Sequence, residues 1–160
     1  MRKCYIGLGS NQQQPKQQLN DAIRALKGLT QLAQFRASSF YSSSPMGPQD
    51  QPDYVNAVAE FTWSGTEIEL LDALQKIEQE QGRVRKAERW GPRTLDLDIL
   101  LFGDLELESD RLTIPHYGMK VREFVLYPLA EIQPELTLPC GTHIEQLLKI
   151  VPLNGLHKLV

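Results

Sequence analysis

Residues 94–102 read TLDLDILLF, one of the most apolar runs of the chain, and two aspartates sit inside it. As a strand, the run sets Leu95, Leu97, Ile99 and Leu101 on one face and Asp96, Asp98, Leu100 and Phe102 on the other. Two carboxylates then point the same way, roughly 6–7 Å apart at Cα. Like charges at that spacing repel, and burying either without a partner is costly. Such a strand calls for a cation that the pair can share. Mg²⁺ suits it, since that ion takes one or two carboxylates and completes its octahedron with substrate phosphates and water. The plainer alternative is a solvated sheet face whose aspartates pair with Arg or Lys.

The neighbourhood favours the first reading. Residues 83–93, RVRKAERWGPR, hold Arg83, Arg85, Lys86, Arg89 and Arg93 against a single Glu88, and Arg111, His116, Lys120 and Arg122 follow the strand. The whole chain carries a formal net charge of −3, so this excess is local, and a global field suited to nucleic acid is absent. Carboxylates holding Mg²⁺ beside Arg and Lys are the parts that clamp a polyphosphate. An indole is costly to leave in water, so Trp90 suggests that the basic segment orders over a ligand. There is no GxxxxGK followed by Ser or Thr, and GLGSN after the first strand is not GxGxxG opening a helix. A nucleotide must therefore be held by side chains and metal. No Ser/His/Asp or Cys/His arrangement is legible, so covalent acyl chemistry has no support.

A chain of 160 residues is expected to form one domain with a core that needs no disulfide or metal staple. Its two cysteines, Cys4 and Cys140, form no CxxC, which suggests a reduced, cytoplasmic setting. The N-terminal apolar stretch is too short for a signal peptide, and no run approaches the ~18 apolar residues of a membrane span.

Residues 3–10 read as a first strand. Pro15 opens a helix with apolar Leu19, Ala22, Ile23 and Leu26, closed by Gly28. Residues 32–43 read as one second strand, 44–53 as a long Pro-rich loop and 54–63 as a third strand. Thr66 and Glu69 predict a capping box for a helix with Ile68, Leu70, Leu71, Leu74 and Ile77 buried, ended by Gly82. After the basic loop and the aspartate strand, Gly103-Asp104 should turn into a short hairpin through LELE. Short helices are expected near 121–127 and 144–150. The first hundred residues thus follow β-α-β-β-α-β, predicting an α+β, ferredoxin-like fold: an antiparallel sheet with helices packed on it and a C-terminal α/β extension. That fold hosts many unrelated activities.

Some polar residues sit at informative places. Gln75 and Glu78 are i, i+3 neighbours at the border of a buried helical stripe, where an ordinary amphipathic boundary would also put them. Asn56 lies inside a strand despite its low β-propensity. It could read the edge of a flat heterocycle while Tyr54 and Phe124 cover its faces, or it could simply face solvent. His116, between Pro115 and Tyr117, reads equally as a packing residue.

These segments together resemble a known family. GPQDQPDYVNAV, QGRVRKAERWGPRTLDLDILLF and RLTIPHYGMKVREFVLYPLAEI closely resemble 6-hydroxymethyl-7,8-dihydropterin pyrophosphokinases of the folate pathway, from Tyr5 to about Pro139. The resemblance implies a single pyrophosphokinase domain over residues 1–160, acting as a cytoplasmic monomer without nucleic acid or membrane. It would transfer pyrophosphate from ATP to the pterin hydroxymethyl group, giving AMP and the pterin diphosphate. Two Mg²⁺ ions would sit on Asp96 and Asp98, with Arg83 and Arg93 stabilising charge on the β-phosphate and the leaving AMP. ATP contacts would fall to Gln75, Glu78, Arg85, Trp90, Arg93, Ile99, Arg111, Thr113, His116, Tyr117 and Arg122. Pterin contacts would fall to Ser43, Ser44, Met46, Tyr54, Asn56, Trp90, Asp96 and Phe124. This chain departs from bacterial relatives at YSSSPMGPQDQP, where they read closer to YRTPPLGPQDQP, and loses one proline that would stiffen the loop. Residues 140–160 match no motif.

Two other classes compete. A ligand or metal sensor explains the fold and the aspartates but not the Arg/His collection. An RNA-binding domain explains the basic loop, but no RNP-type motif is present, and bare carboxylates would repel phosphate.

Overall fold

The computed structural model describes residues 1–11, 14–43, 54–83 and 95–159, with the side chains of 82 and 83 outside that description. Strand β1 (Arg2–Ser10) leads to helix α1 (Pro15–Lys27), strands β2 (Leu32–Ala37), β3 (Tyr41–Ser43) and β4 (Tyr54–Trp63), and helix α2 (Glu67–Glu78). A π-helical turn over Gln79–Arg83 follows, then β5 (Asp96–Phe102), β6 (Leu107–Glu108), β7 (Thr113–Ile114), α3 (Glu123–Ile132), α4 (Ile144–Ile150) and β8 (His157–Lys158). The main sheet runs β5-β1-β4-β3-β8, with β2 also on β4, and every pairing is antiparallel. The third long strand inserts between the first and second, as the split βαβ pattern requires.

Alternation along the strands makes two cores. Cys4, Ile6 and Leu8 of β1 join Ala57, Ala59 and Phe61 of β4 beneath α1 and α2. Tyr5, Val58 and Leu101 face the other way, under Val125, Leu126 and Leu129 of α3 and Ile144 and Leu147 of α4. The capping box is present: Glu69 N–H donates to Thr66 Oγ1 at 3.1 Å, and Thr66 N–H to Glu69 Oε1 at 2.8 Å.

Five expectations need correction. Residues 32–43 are two strands, not one, because the Ser38 hydroxyl takes the Val58 N–H at 3.0 Å, so that a side chain replaces a rung of the ladder. Helix α2 ends at Glu78, and a wider turn carries the chain through Gly82. LELE does not fold back on β5: Leu107 and Glu108 pair with Ile114 and Thr113 in a separate ribbon. Helix α3 starts later and runs five residues beyond the expected end, through Pro128, since Leu129 and Ile132 still bury their side chains. Finally, Leu101 and Phe102 exchange the faces expected of them. Tyr5 pairs with Leu101 but Ile6 with Ile99, so Leu100 is the extra residue of a β-bulge. Beyond that bulge the alternation reverses: Leu101 enters the α3–α4 core and Phe102 the α1–α2 core.

Candidate active site

The bulge matters because it lies at the end of the aspartate pair. Asp96 and Asp98 share the face of Leu100, while Leu95, Leu97 and Ile99 are buried beneath the first two helices. Across the sheet, Asp96 is in register with Gly9, which is in register with Asn56; Asp98 is in register with Gly7. Both glycines thus put no side chain beside a carboxylate. A Cβ on Gly9 would come within 3.0 Å of Asn56 Oδ1, and one on Gly7 would touch the Leu100 side chain at 3.5 Å. The alternating GLG of β1 is a cleared floor. GLG is no phosphate loop, and its role as a floor emerges only from the register of β1 against β4 and β5.

Over the floor lies a cleft with a cavity volume of about 230 Å³, lined by Ser43, Tyr54, Asn56, Asp96, Asp98, His116, Arg122 and Phe124, together with Gly7, Gly9, Leu100 and Val125. The described residues implied for the pterin, namely Ser43, Tyr54, Asn56, Asp96 and Phe124, all converge here. Asn56 is buried, and its Nδ2 donates to Ser43 Oγ at 2.8 Å, which leaves Oδ1 on the side of Gly9. Burial, and then the charge of Asp96, raise the Tyr54 phenol above its ordinary value, so it stays protonated at neutral pH.

The segment after β7 supplies the cationic wall. The His116 N–H bonds the carbonyl of the bulged Leu100 at 3.1 Å, which docks this segment on β5. Gly118 N–H donates to His116 Nδ1 at 3.1 Å, so in the neutral ring the proton sits on Nε2, which faces Asp98 Oδ2 at 3.9 Å. Burial pushes this imidazole down; Asp98 pulls it up, and Arg122 pushes it down further. The His116 and Tyr117 rings stack with centroids 4.6 Å apart, and the Arg122 guanidinium lies 5.3 Å from the Tyr117 ring and 5.8 Å from that of Phe124.

The other residues implied for ATP stand elsewhere. Arg111 Nη2 donates to Asp72 Oδ1 at 2.7 Å and to Gln75 Oε1 at 3.2 Å, against α2, and Thr113 is in β7. The Ile99 side chain is buried in the α1–α2 core, so only its backbone could meet a ligand. Strand β5 is the edge of the sheet, and the Leu97 N–H points off that edge to Glu78 Oε2 at 2.8 Å. By the two-residue period the backbone groups of Ile99 lie on the same open edge. The candidates therefore flank β5 from both sides. Ser44, Met46, Arg85, Trp90 and Arg93 lie outside the described residues, as does the side chain of Arg83.

The donor set fits Mg²⁺. Asp96 and Asp98 offer hard oxygens side by side on a rigid strand, and among the described residues no group of three or more His, Cys, Asp or Glu could hold a metal by itself. A two-carboxylate site of this kind relies on substrate oxygens and water to complete the shell, as Mg²⁺ sites do.

Comparison with known proteins agrees with this geometry. Residues 5–134 match the family described as 7,8-dihydro-6-hydroxymethylpterin-pyrophosphokinase (HPPK). A Pseudomonas aeruginosa protein named 2-amino-4-hydroxy-6-hydroxymethyldihydropteridine pyrophosphokinase is 49% identical over 159 residues, covering 99% of this chain and 98% of its own length. A Haemophilus influenzae protein of the same name is 54% identical over 149 residues, covering 93% of this chain and 92% of its own. In fold, the chain is similar to the crystal structure of Plasmodium falciparum HPPK-DHPS, with a TM-score of 0.71 at 14% identity. That match covers 93% of this chain but 45% of the other, and at such identity it speaks for the fold alone. The chain belongs to the 7,8-dihydro-6-hydroxymethylpterin-pyrophosphokinase family.

Proposed function

We propose that this chain transfers the pyrophosphoryl group of ATP to the hydroxymethyl oxygen of 6-hydroxymethyl-7,8-dihydropterin, releasing AMP and leaving the pterin diphosphate used in folate synthesis. As a member of its family it is an ATP-dependent diphosphotransferase. The observation that carries the substrate assignment is the cleft itself: an aspartate pair over a glycine floor, continuous with a slot containing Asn56, Tyr54 and Phe124.

The alcohol oxygen attacks the β-phosphorus in line; the new O–P bond forms as the bond from that phosphorus to the oxygen of AMP breaks. Such a transfer depends on positioning and charge neutralisation rather than on covalent help. Asn56, held by Ser43, offers Oδ1 to a ring N–H of the pterin, and Tyr54 and Phe124 cover the ring faces. The Arg122 guanidinium and the Nε2 proton of His116 face the cleft, where phosphate oxygens would accept from them. Arg83 and Arg93 are assigned the charge that builds on the β-phosphate and the departing AMP. Two Mg²⁺ ions held by Asp96 and Asp98 would supply charge neutralisation and a lowered pKa for the attacking hydroxyl. Gln75, Arg111, Thr113 and the backbone of Ile99 would hold the nucleoside along the outer side of β5.

We read residues 1–160 as one pyrophosphokinase domain that acts as a cytoplasmic monomer. Free thiols at Cys4 and Cys140 support a reducing compartment. Among the described residues no helix is long and apolar enough to cross a membrane.

The direct test mixes the protein with ATP, Mg²⁺ and the pterin alcohol and separates the nucleotides. AMP should form in step with pterin diphosphate and stop when EDTA is added. Formation of ADP, or nucleotide loss independent of the pterin, would overturn the assignment.

A further inference from the structure

Glu78 is the last residue of α2, where the negative end of the helix dipole disfavours a carboxylate. It is also buried, at 6% exposure, which adds a desolvation cost. Two unfavourable placements in one residue call for something that offsets them. Its Oε2 accepts the N–H of Leu97 at 2.8 Å. Leu97 lies between Asp96 and Asp98, and that N–H belongs to the peptide joining Asp96 to Leu97. It faces away from β1, on the side of β5 where, among the described residues, no strand of the main sheet pairs. Holding that peptide plane restrains ψ of Asp96 and φ of Leu97, two of the backbone torsions that set how the Asp96 carboxylate is aimed relative to Asp98.

We propose that Glu78 is a positioning residue for the aspartate pair: its bond to the Leu97 N–H sets the local pleat of β5, so that both carboxylates converge on one ligand. The role rests on the reading of Asp96 and Asp98 as the Mg²⁺ carboxylates. It differs from a direct contact with ATP, which the family resemblance implied for Glu78. The Leu97 side chain points into the α1–α2 core, toward the helix that carries Glu78, so one residue fastens β5 to α2 through both side chain and backbone. A conserved-shape replacement such as Gln keeps an acceptor at the same reach; Ala does not.

The test compares E78A with E78Q in the full-length enzyme. Hydrogen exchange followed by NMR at the Leu97 amide should quicken by about 10- to 100-fold in E78A and stay near wild type in E78Q. Mn²⁺ titrated by EPR in the presence of a nonhydrolysable ATP analogue should bind about tenfold more weakly to E78A, and near normally to E78Q. Binding of the same analogue in EDTA should be unchanged in both. Unchanged Leu97 exchange in E78A would overturn the tether. Weaker analogue binding in EDTA with unaltered Mn²⁺ affinity would overturn the positioning role in favour of direct nucleotide contact. D98N separates the two layers of the argument: if it leaves Mn²⁺ binding intact, the metal reading fails, whatever the Leu97 amide shows.

Discussion

Two carboxylate sites occupy the same face of the same sheet and have opposite fates. Glu60 stands in register between Tyr5 and Arg36, and its partners are built in. Tyr5 OH donates at 2.7 Å, Arg36 Nε at 2.8 Å, and Arg36 Nη2 reaches on to the Ile132 carbonyl at 2.9 Å, so the cluster ties the end of α3 to the sheet. Its side chain is 4% exposed. Asp98, on β5, lies two residues along β1 from the Glu60 row, with Gly7 in register instead of Tyr or Arg, and its side chain is 52% exposed. Burial alone would push the Glu60 carboxyl up, but the bonds from Arg36 and Tyr5 outweigh it and hold the group below its ordinary value. A carboxylate satisfied by its own chain serves the fold. One with glycine at its side and a cleft above it serves a ligand.

The largest effect that could break this contrast is at Asp98. Asp98→Ala should lower turnover by about a hundred- to thousand-fold with Mg²⁺ present, with little change in Tm because the side chain packs against no core. Steady-state kinetics and a thermal melt on one preparation decide it. Near-wild-type turnover would remove the basis for calling the two sites different. A smaller effect is expected from filling the floor. Gly9→Ala places a methyl 3.0 Å from Asn56 Oδ1, and Asn56 is held by Ser43 and cannot easily withdraw. The pterin KM should rise by about tenfold, with kcat less affected. An unchanged pterin KM would mean that the cleared floor does not serve the ring.

Much of this was readable from residue order. The same-face aspartates and the Thr66–Glu69 box follow from period-two and capping rules that act within a few residues, and the β-α-β-β-α-β order of elements pointed to the split βαβ sheet. The bulge at Leu100 was not readable, since the alternation of TLDLD gives way to the wholly apolar ILLF, which fixes no face, and only pairing against Tyr5 and Ile6 reveals the extra residue. The helix expected to stop near Tyr127 runs on through Pro128, because the burial of Leu129 and Ile132 outweighs one lost backbone bond. The glycine floor escaped notice for a related reason. Gly7 and Gly9 look like weak strand residues until the register shows which side chains they would crowd. Tyr54 and Asn56 are two residues apart but Phe124 lies far down the chain; residue type suggested one ring site for all three, and only the fold brings them into one cleft. His116 stood out in the sequence only as one of several basic groups after the strand; its contact with Asp98 depends on the backbone bond to Leu100, which no local pattern encodes.

The smallest expected effect sharpens the comparison from its structural side. Glu60→Gln keeps the shape but removes the charge that strengthens the bonds from Arg36 and Tyr5. At pH 7 it should cost about 1–2 kcal/mol, or roughly 2–8 °C in Tm for a chain of this size, while turnover stays near wild type. The pH dependence gives the sign. Because the folded carboxyl is held below its ordinary value of 4.5, its contribution is present above the unfolded pKa and is lost as pH falls through the lower folded value. The stability gap between wild type and Glu60→Gln should therefore be constant from pH 7 to about 5 and close as the solution is acidified below 4.5. Thermal melts from pH 7 to pH 3 would show it. A gap that persisted unchanged at the acid end would mean that Glu60 acts through shape alone, and the contrast with the ligand-facing pair would then rest on exposure and not on how each charge is satisfied.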